Sequence, residues 1–280
     1  MLKFLPLKYQ SLINKIDQNA LCEIRIRINY PVVYKLYNNT YKLKNENDNI
    51  IATDNDIKTI IDNLTEKSIY AYNDFIKNGY ITTNFGVRVG LAGSCVFENE
   101  KVITVKDFSS LCIRIPHDII GCSNYVFYKY INSKKVNILI ASPPGLGKTT
   151  LLKDLVRNYN ENSSYNLLVI DERGELNLKG QNVDVIRYSN KEFALNYAIK
   201  SMSPDILFMD ELMCEEEFIG INKARLSGVN VIATIHSDNV SNIIKKFSSA
   251  KDIFDYFIIL KNNKHPGEIL GVFDNNLNEI

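Results

Sequence analysis

The stretch NILIASPPGLGKTTLLKDL, residues 137–155, constrains this chain more than any other. A short apolar run ends in two prolines and two glycines, and helix-forming residues follow at once. A strand that turns through glycine directly into a helix gathers backbone N–H groups and the positive helix terminus at one point, an arrangement that suits an anion. The spacing predicts a phosphate cradle of Pro143, Pro144, Gly145, Leu146 and Gly147, with Lys148, Thr149 and Thr150 opening the helix. Lys148 is expected to reach the β- and γ-phosphates of ATP, and Thr149 to help hold Mg2+. One position departs from the pattern G-x-x-x-x-G-K-[ST]: Ser142 stands where the first glycine belongs. It closes the strand, where a small residue suffices.

Such a cradle needs a carboxylate at the end of a neighbouring strand. LLVIDERGE, residues 167–175, offers Asp171 and Glu172, and DILFMDEL, residues 205–212, offers Asp210 and Glu211. Both pairs are expected at the C-terminal edge of a parallel sheet, beside the glycine loop. Asp210 is expected near Mg2+ with Thr149, and Asp171 is a further metal candidate. Glu211 is expected to orient or deprotonate the attacking water, with Glu172 as the alternative. A third strand ends in ATIHSDN, which brings His236 to the same edge, within reach of the γ-phosphate. His117 and His265 have no such context. An arginine supplied across a subunit boundary commonly stabilises charge in phosphoryl transfer. Arg88, Arg114 and Arg173 are candidates, while Arg25 and Arg27 share one strand face and suit an interface equally.

Apolar runs at 136–141, 165–170, 205–209 and 229–235 alternate with helical segments from 149, at 192–202 and at 215–228. That alternation implies a parallel sheet covered on both faces, and IFDYFIIL, residues 253–260, reads as a further buried strand. Before residue 120, short strand-like runs dominate, at 23–28, 32–37, 40–44, 79–97, 101–105 and 110–115. Two helices interrupt them: 53–64, capped by Thr53 or Asp54, and 68–78, closed by Gly79. The expected organisation is a smaller α+β domain over 1–120 and an α/β domain over 121–280, joined by a helical linker at 121–135.

Lys and Arg total 33 against 32 Asp and Glu, a balance that gives no general attraction to nucleic acid, so no nucleic-acid partner is expected. The five cysteines form no C-x-x-C pair, which argues against a zinc knuckle or a disulfide framework and suits a reducing compartment. No run approaches the roughly 18 apolar residues of a membrane span, and Lys8, Tyr9 and Gln10 interrupt the N-terminus too early for a signal peptide. A cytoplasmic chain is expected, free to dock peripherally on a membrane complex.

Four boxes in order, SPPGLGKTT, VIDERGEL, SPDILFMDEL and VIATIHSDN, resemble the Walker A, Asp box, Walker B and His box of the secretion ATPase superfamily, which powers type II and type IV secretion and pilus machines. The closer resemblance is to the stage III sporulation protein AA family of endospore-forming bacteria. EIRIRINYPV, GYITTNFGVRVGLAGS and SSLCIRIPHDIIGC in the first domain carry it as well. It covers most of the chain and is weakest over 1–20 and 240–280. The resemblance implies a RecA-like P-loop ATPase that forms a homo-hexamer with ATP between subunits. It also implies a mother-cell role at the base of the channel to the forespore, in contact with membrane-embedded channel proteins. Asp210 takes the place where many secretion ATPases have glycine, which leaves Asp171, Glu172 and Glu211 all open as the chief carboxylate. An AAA+ remodeller is one rival, against which counts the lack of any arginine after Arg225. A nucleotide-binding assembly scaffold with little turnover is another, against which count Lys148, Thr149 and Glu211.

Overall fold

A strand without polar alternation must be covered on both faces, and Ile138–Ala141 and Leu167–Asp171 are buried at every position. The structure is a computed structural model that describes every residue except 1, 38, 133, 177, 188–189 and 262–266. Its contacts divide the chain into two units, Met1–His117 and Asp118–Ile280. In the second unit the described residues form a seven-stranded sheet in the order Val183–Arg187, Leu167–Asp171, Ile206–Leu212, Asn230–Ile235, Ile138–Ala141, Tyr256–Leu260, Ile269–Asp274. All neighbours are parallel except the last pair, which is antiparallel.

Alternate residues of each strand feed two separate cores. Leu139, Leu168, Leu207 and Val231 face one, packed on helices Lys191–Tyr197 and Glu215–Leu226. Ile138, Leu167, Ile206 and Ile232 face the other, against Leu151, Leu152 and Leu155 of helix Lys148–Asn162. Gly220 lets the first two helices meet: a Cβ there would lie 2.7 Å from Leu195 Cδ1.

Two features of this unit differ from expectation. Val183–Arg187 adds an edge strand beside Leu167–Asp171. It is half-buried, with Asp184 exposed, so it lacks the unbroken apolar signature of its neighbours. Residues 121–135, expected as a linker, instead pack into the unit. Helix Asn124–Val126 continues into a widened turn over Phe127–Ile131, and Val126, Phe127 and Ile131 are fully buried among Ile138, Leu155 and Tyr159. Asp154 pins this segment to the glycine-loop helix. Its Oδ1 accepts from Gly121 N–H at 3.0 Å and Arg157 Nε at 2.6 Å, and its Oδ2 from Ser123 N–H at 2.7 Å and Ser123 Oγ at 2.8 Å.

The first unit is built on a six-stranded antiparallel sheet, in the order Asn39–Lys42, Val33–Leu36, Leu21–Arg27, Lys101–Arg114, Arg88–Glu98, Tyr80–Thr82. The runs 101–105 and 110–115, expected as two strands, are one. A bulge between the pairs Ala92–Ser110 and Ser94–Lys106 absorbs the polar residues between them. The expected run 79–97 is broken at 83–87 into two strands. Thr53 caps helix Asp54–Leu64 in a capping box with Asp56, whose Oδ2 also accepts from Tyr9 OH at 2.8 Å. Helix Leu7–Ile13, which carries Tyr9, is unannounced by the sequence pattern. Among the described residues no helix is long and apolar enough to cross a membrane.

Burial alone would push the Asp154 carboxyl up, but the Arg157 guanidinium and the N–H groups of Ser123 and Gly121 outweigh it and hold the pKa below the usual range. A carboxylate depressed in the folded state adds stability above its unfolded pKa of about 3.9, and that stability is lost as pH falls through the folded value. Asp154→Ala is therefore expected to cost about 3 kcal/mol at neutral pH. In urea titrations the deficit should shrink below about pH 4; an equal deficit at neutral and acid pH would rule out this role for the carboxylate.

Candidate functional site

Parallel strands end at one edge of their sheet, so residues far apart in the chain meet there. Between Ala141 and Lys148 the loop uses Gly145 at φ 78° and Gly147 at φ 91°, left-handed conformations that favour glycine. A Cβ on Gly145 would meet nothing within 4 Å, so backbone conformation rather than space selects glycine there. Leu146 is held from outside by the Gly267 N–H, which donates to its carbonyl at 2.8 Å.

Lys148 is 5% exposed. Its Nζ has four acceptors for three N–H bonds: Ser142 O at 2.9 Å, Pro143 O at 3.1 Å, Ser142 Oγ at 3.3 Å and His236 Nδ1 at 2.9 Å. The Ser142 hydroxyl donates in turn to Pro143 O at 2.9 Å. The departure from glycine thus supplies Lys148 with one more acceptor.

The Asp210 carboxylate bridges two hydroxyls. Its Oδ2 accepts from Thr149 Oγ1 at 2.9 Å and its Oδ1 from Thr234 Oγ1 at 2.5 Å. Thr149 and Asp210 together present hard oxygen donors of the kind Mg2+ takes, so the residues fit that ion. Among the described residues no group of three or more His, Cys, Asp or Glu gathers as a metal site. A cation held by this pair would complete its shell from water and phosphate oxygens.

Glu211 lies at the centre of a charged chain. Its Oε1 is 3.1 Å from His236 Nε2 and its Oε2 is 2.6 Å from Arg173 Nη2. With the Lys148 ammonium as donor, His236 Nδ1 accepts, so the ring proton sits on Nε2 and points at Glu211. The other acid pair is used differently. Asp171, expected beside the metal, has both oxygens taken up by its own loop, accepting Glu175 N–H and Leu176 N–H at 3.0 Å each. Burial pushes its pKa up despite those bonds. Glu172 Oε2 pairs with Lys191 Nζ at 3.4 Å. Arg173, expected as a candidate finger, is bound to Glu211 within the same unit. Arg88 and Arg114 face each other on adjacent strands of the first unit, where the Arg88 guanidinium stacks 3.8 Å above the Tyr80 ring. His265 lies outside the described residues. Beside Thr150, a cavity of about 260 Å³ is walled by Ile119, Ile120 and Leu178 and by Lys153, Asp154 and Arg157 of the helix.

The family description Sporulation stage III, protein AA, matches residues 3–280. The chain belongs to the sporulation stage III protein AA family. Within that family, the stage III sporulation protein AA of Bacillus subtilis (strain 168) is 32% identical over 285 residues, covering 92% of this chain and 88% of the relative. Among solved structures, the pilus retraction motor PilT with bound ADP superposes with a TM-score of 0.69 at 17% identity, over 91% of this chain and 78% of that one. The Legionella pneumophila ATPase DotB gives 0.63 at 15% identity, over 93% and 77%. These likenesses establish the fold: a RecA-like unit with a mainly parallel sheet, preceded by an antiparallel-sheet unit.

Two polar residues of this family member escape sequence reasoning. Thr234 is fully buried; besides donating to Asp210 it accepts the Glu211 N–H at 2.7 Å. Lys191 is buried, with its Nζ against the Glu211 carbonyl oxygen and near Glu172 and Glu217. A polar residue within the apolar run VIATI was the available signal for the first; nothing in the sequence marks the second.

Burial pushes the Lys148 pKa down, against the opposing pull of Asp210 and Glu211. An amine depressed in the folded state lowers stability at pH values below its folded pKa, and the deficit fades as pH rises toward the unfolded value of about 10.4. Whatever offset the lost hydrogen bonds of Lys148 impose, Lys148→Met is therefore expected to lose stability relative to wild type as pH rises from neutral toward alkaline. A Tm difference from wild type that stays the same at neutral and alkaline pH, in scanning calorimetry, would contradict this.

Proposed function

We propose that this chain is an ATP-hydrolysing motor ATPase of the secretion type, working in the mother cell on the sporulation channel to the forespore. The observation that carries this is the joint placement of the Thr149–Asp210 pair and the Lys148–His236–Glu211 chain at one sheet edge. Phosphates would sit on the backbone N–H groups of 145–150, Pro143 and Pro144 having none to offer, with Lys148 turned to the β- and γ-oxygens. The cavity beside Thr150 would take the nucleoside. Thr149 and Asp210 would hold Mg2+, which offsets charge on the phosphate oxygens. Glu211 accepts a proton from water as the water oxygen bonds to the γ-phosphorus and the bond to the β,γ-bridging oxygen breaks, releasing ADP and phosphate. His236, bonded to both Lys148 and Glu211, links the group that binds phosphate to the group that activates water.

An arginine from a neighbouring subunit of a homo-hexamer completes the site, with Arg88 and Arg114 as candidates, and membrane-embedded channel proteins are the partners of the ring. A second reading has one observation in its favour. Both Glu211 oxygens are already engaged, by His236 and Arg173, which suits a nucleotide-binding assembly scaffold with little turnover.

ATP hydrolysis measured against protein concentration, with mass followed by light scattering, separates the two. Specific activity that climbs as larger species form supports the motor; flat, negligible turnover with nucleotide still bound supports the scaffold. Lys148→Met should lose nucleotide binding or turnover. Glu211→Gln should bind ATP and hydrolyse it roughly 10²-fold more slowly or worse; hydrolysis at the wild-type rate would pass the water-activating role to Glu172.

A further inference from the structure

Lys191 is a buried charge that the proposed mechanism does not use. It is 4% exposed and is the first residue of helix Lys191–Tyr197. A cation at a helix N-terminus opposes the helix dipole, and burying it adds desolvation. Both penalties must be met by oxygen partners, and Lys191 has three. Its Nζ lies 2.5 Å from the Glu211 carbonyl oxygen, 3.1 Å from Glu217 Oε1 and 3.4 Å from Glu172 Oε2. Glu217 passes the contact on, because its Oε2 accepts the Met213 N–H at 2.6 Å and the Cys214 N–H at 3.4 Å. Between these two anchors Glu211 adopts φ 58°, a left-handed conformation that a non-glycine residue keeps only where its surroundings impose it. The Glu211 N–H is meanwhile held by Thr234.

We propose that Lys191 is a positioning residue for Glu211: its ammonium clamps the Glu211 carbonyl and, through Glu217, the turn at 211–214, and so sets where the Glu211 carboxylate points. The proposal rests on the reading of Glu211 as the water-activating group. Without the clamp the backbone relaxes from the left-handed region, and the carboxylate leaves its place beside His236. Misplacement by about an ångström is enough to cost roughly 10²-fold in rate.

The test uses the full chain. Lys191→Met should speed amide exchange at residues 213 and 214, read by mass spectrometry, by roughly tenfold or more, leaving first-unit peptides unchanged. Turnover should fall roughly 10²-fold while affinity for a fluorescent ATP analogue stays within about twofold. Lys191→Arg, which keeps the charge, should recover part of both. In the Glu211→Gln background Lys191→Met should add no further loss of turnover, since it acts through that carboxylate. Glu217→Gln attacks the clamp from its other side and should give the same local pattern if the Met variant fails to fold. Unchanged exchange at 213 and 214, turnover within about twofold of wild type, or an equal further loss in the Glu211→Gln background would each overturn the proposal. Full turnover by Glu211→Gln alone would strike instead at the role of Glu211, while the exchange data would still decide whether the clamp exists.

Discussion

A lysine ammonium almost without water has to be surrounded by oxygen and nitrogen acceptors, and the second unit is organised around that requirement at Lys148. Two loop carbonyls, a serine hydroxyl and an imidazole nitrogen share its three protons, and two carboxylates lie close enough to pull on its charge. Those acceptors come from the end of one strand, the loop after it and the end of the neighbouring strand. They converge because parallel strands finish at the same edge. An antiparallel arrangement of the same segments would send half of them to the far side of the sheet.

The second layer of the site is a set of groups that keep the first in place. Thr234 uses one hydroxyl to donate to Asp210 and to accept from the Glu211 backbone, so neither buried group is left unpaired. Arg173, Glu211, His236 and Lys148 then form a continuous polar chain from the Asp-box loop to the glycine loop. In such a chain each bond polarises the next, and displacement of one member is felt by the others. The proposed coupling of phosphate contact to water activation follows from that continuity.

Much of this unit was legible in the chain itself. Apolar runs without alternation announce a sheet covered on both faces, and the glycine spacing before Lys148 announces a strand–loop–helix turn. Capping chemistry at Thr53 and the closing Gly79 mark helix ends in the first unit just as directly. Less legible were elements whose burial is partial or shared. The edge strand Val183–Arg187 is half exposed, and the segment after 121 is apolar on its buried side only through Val126, Phe127 and Ile131. The strand Lys101–Arg114 looked like two strands because a bulge tolerates polar residues in the middle of one.

The sequence by itself determined the residue types and the local geometry: a phosphate-shaped loop, acids and a histidine at strand ends, and a chain of the sporulation stage III protein AA family with two distinct halves. Only the tertiary structure decided which of these groups touch. Asp171 and Asp210 follow the paired residues Ile170 and Met209 on adjacent strands, yet one closes its own turn and the other faces Thr149. Arg173 meets Glu211, and Lys191 lies beneath it, although nothing along the chain marks either pairing. Such contacts depend on strand order, on register and on a backbone angle at Glu211. Packing across the whole sheet sets all three, and no spacing within a single segment can specify them.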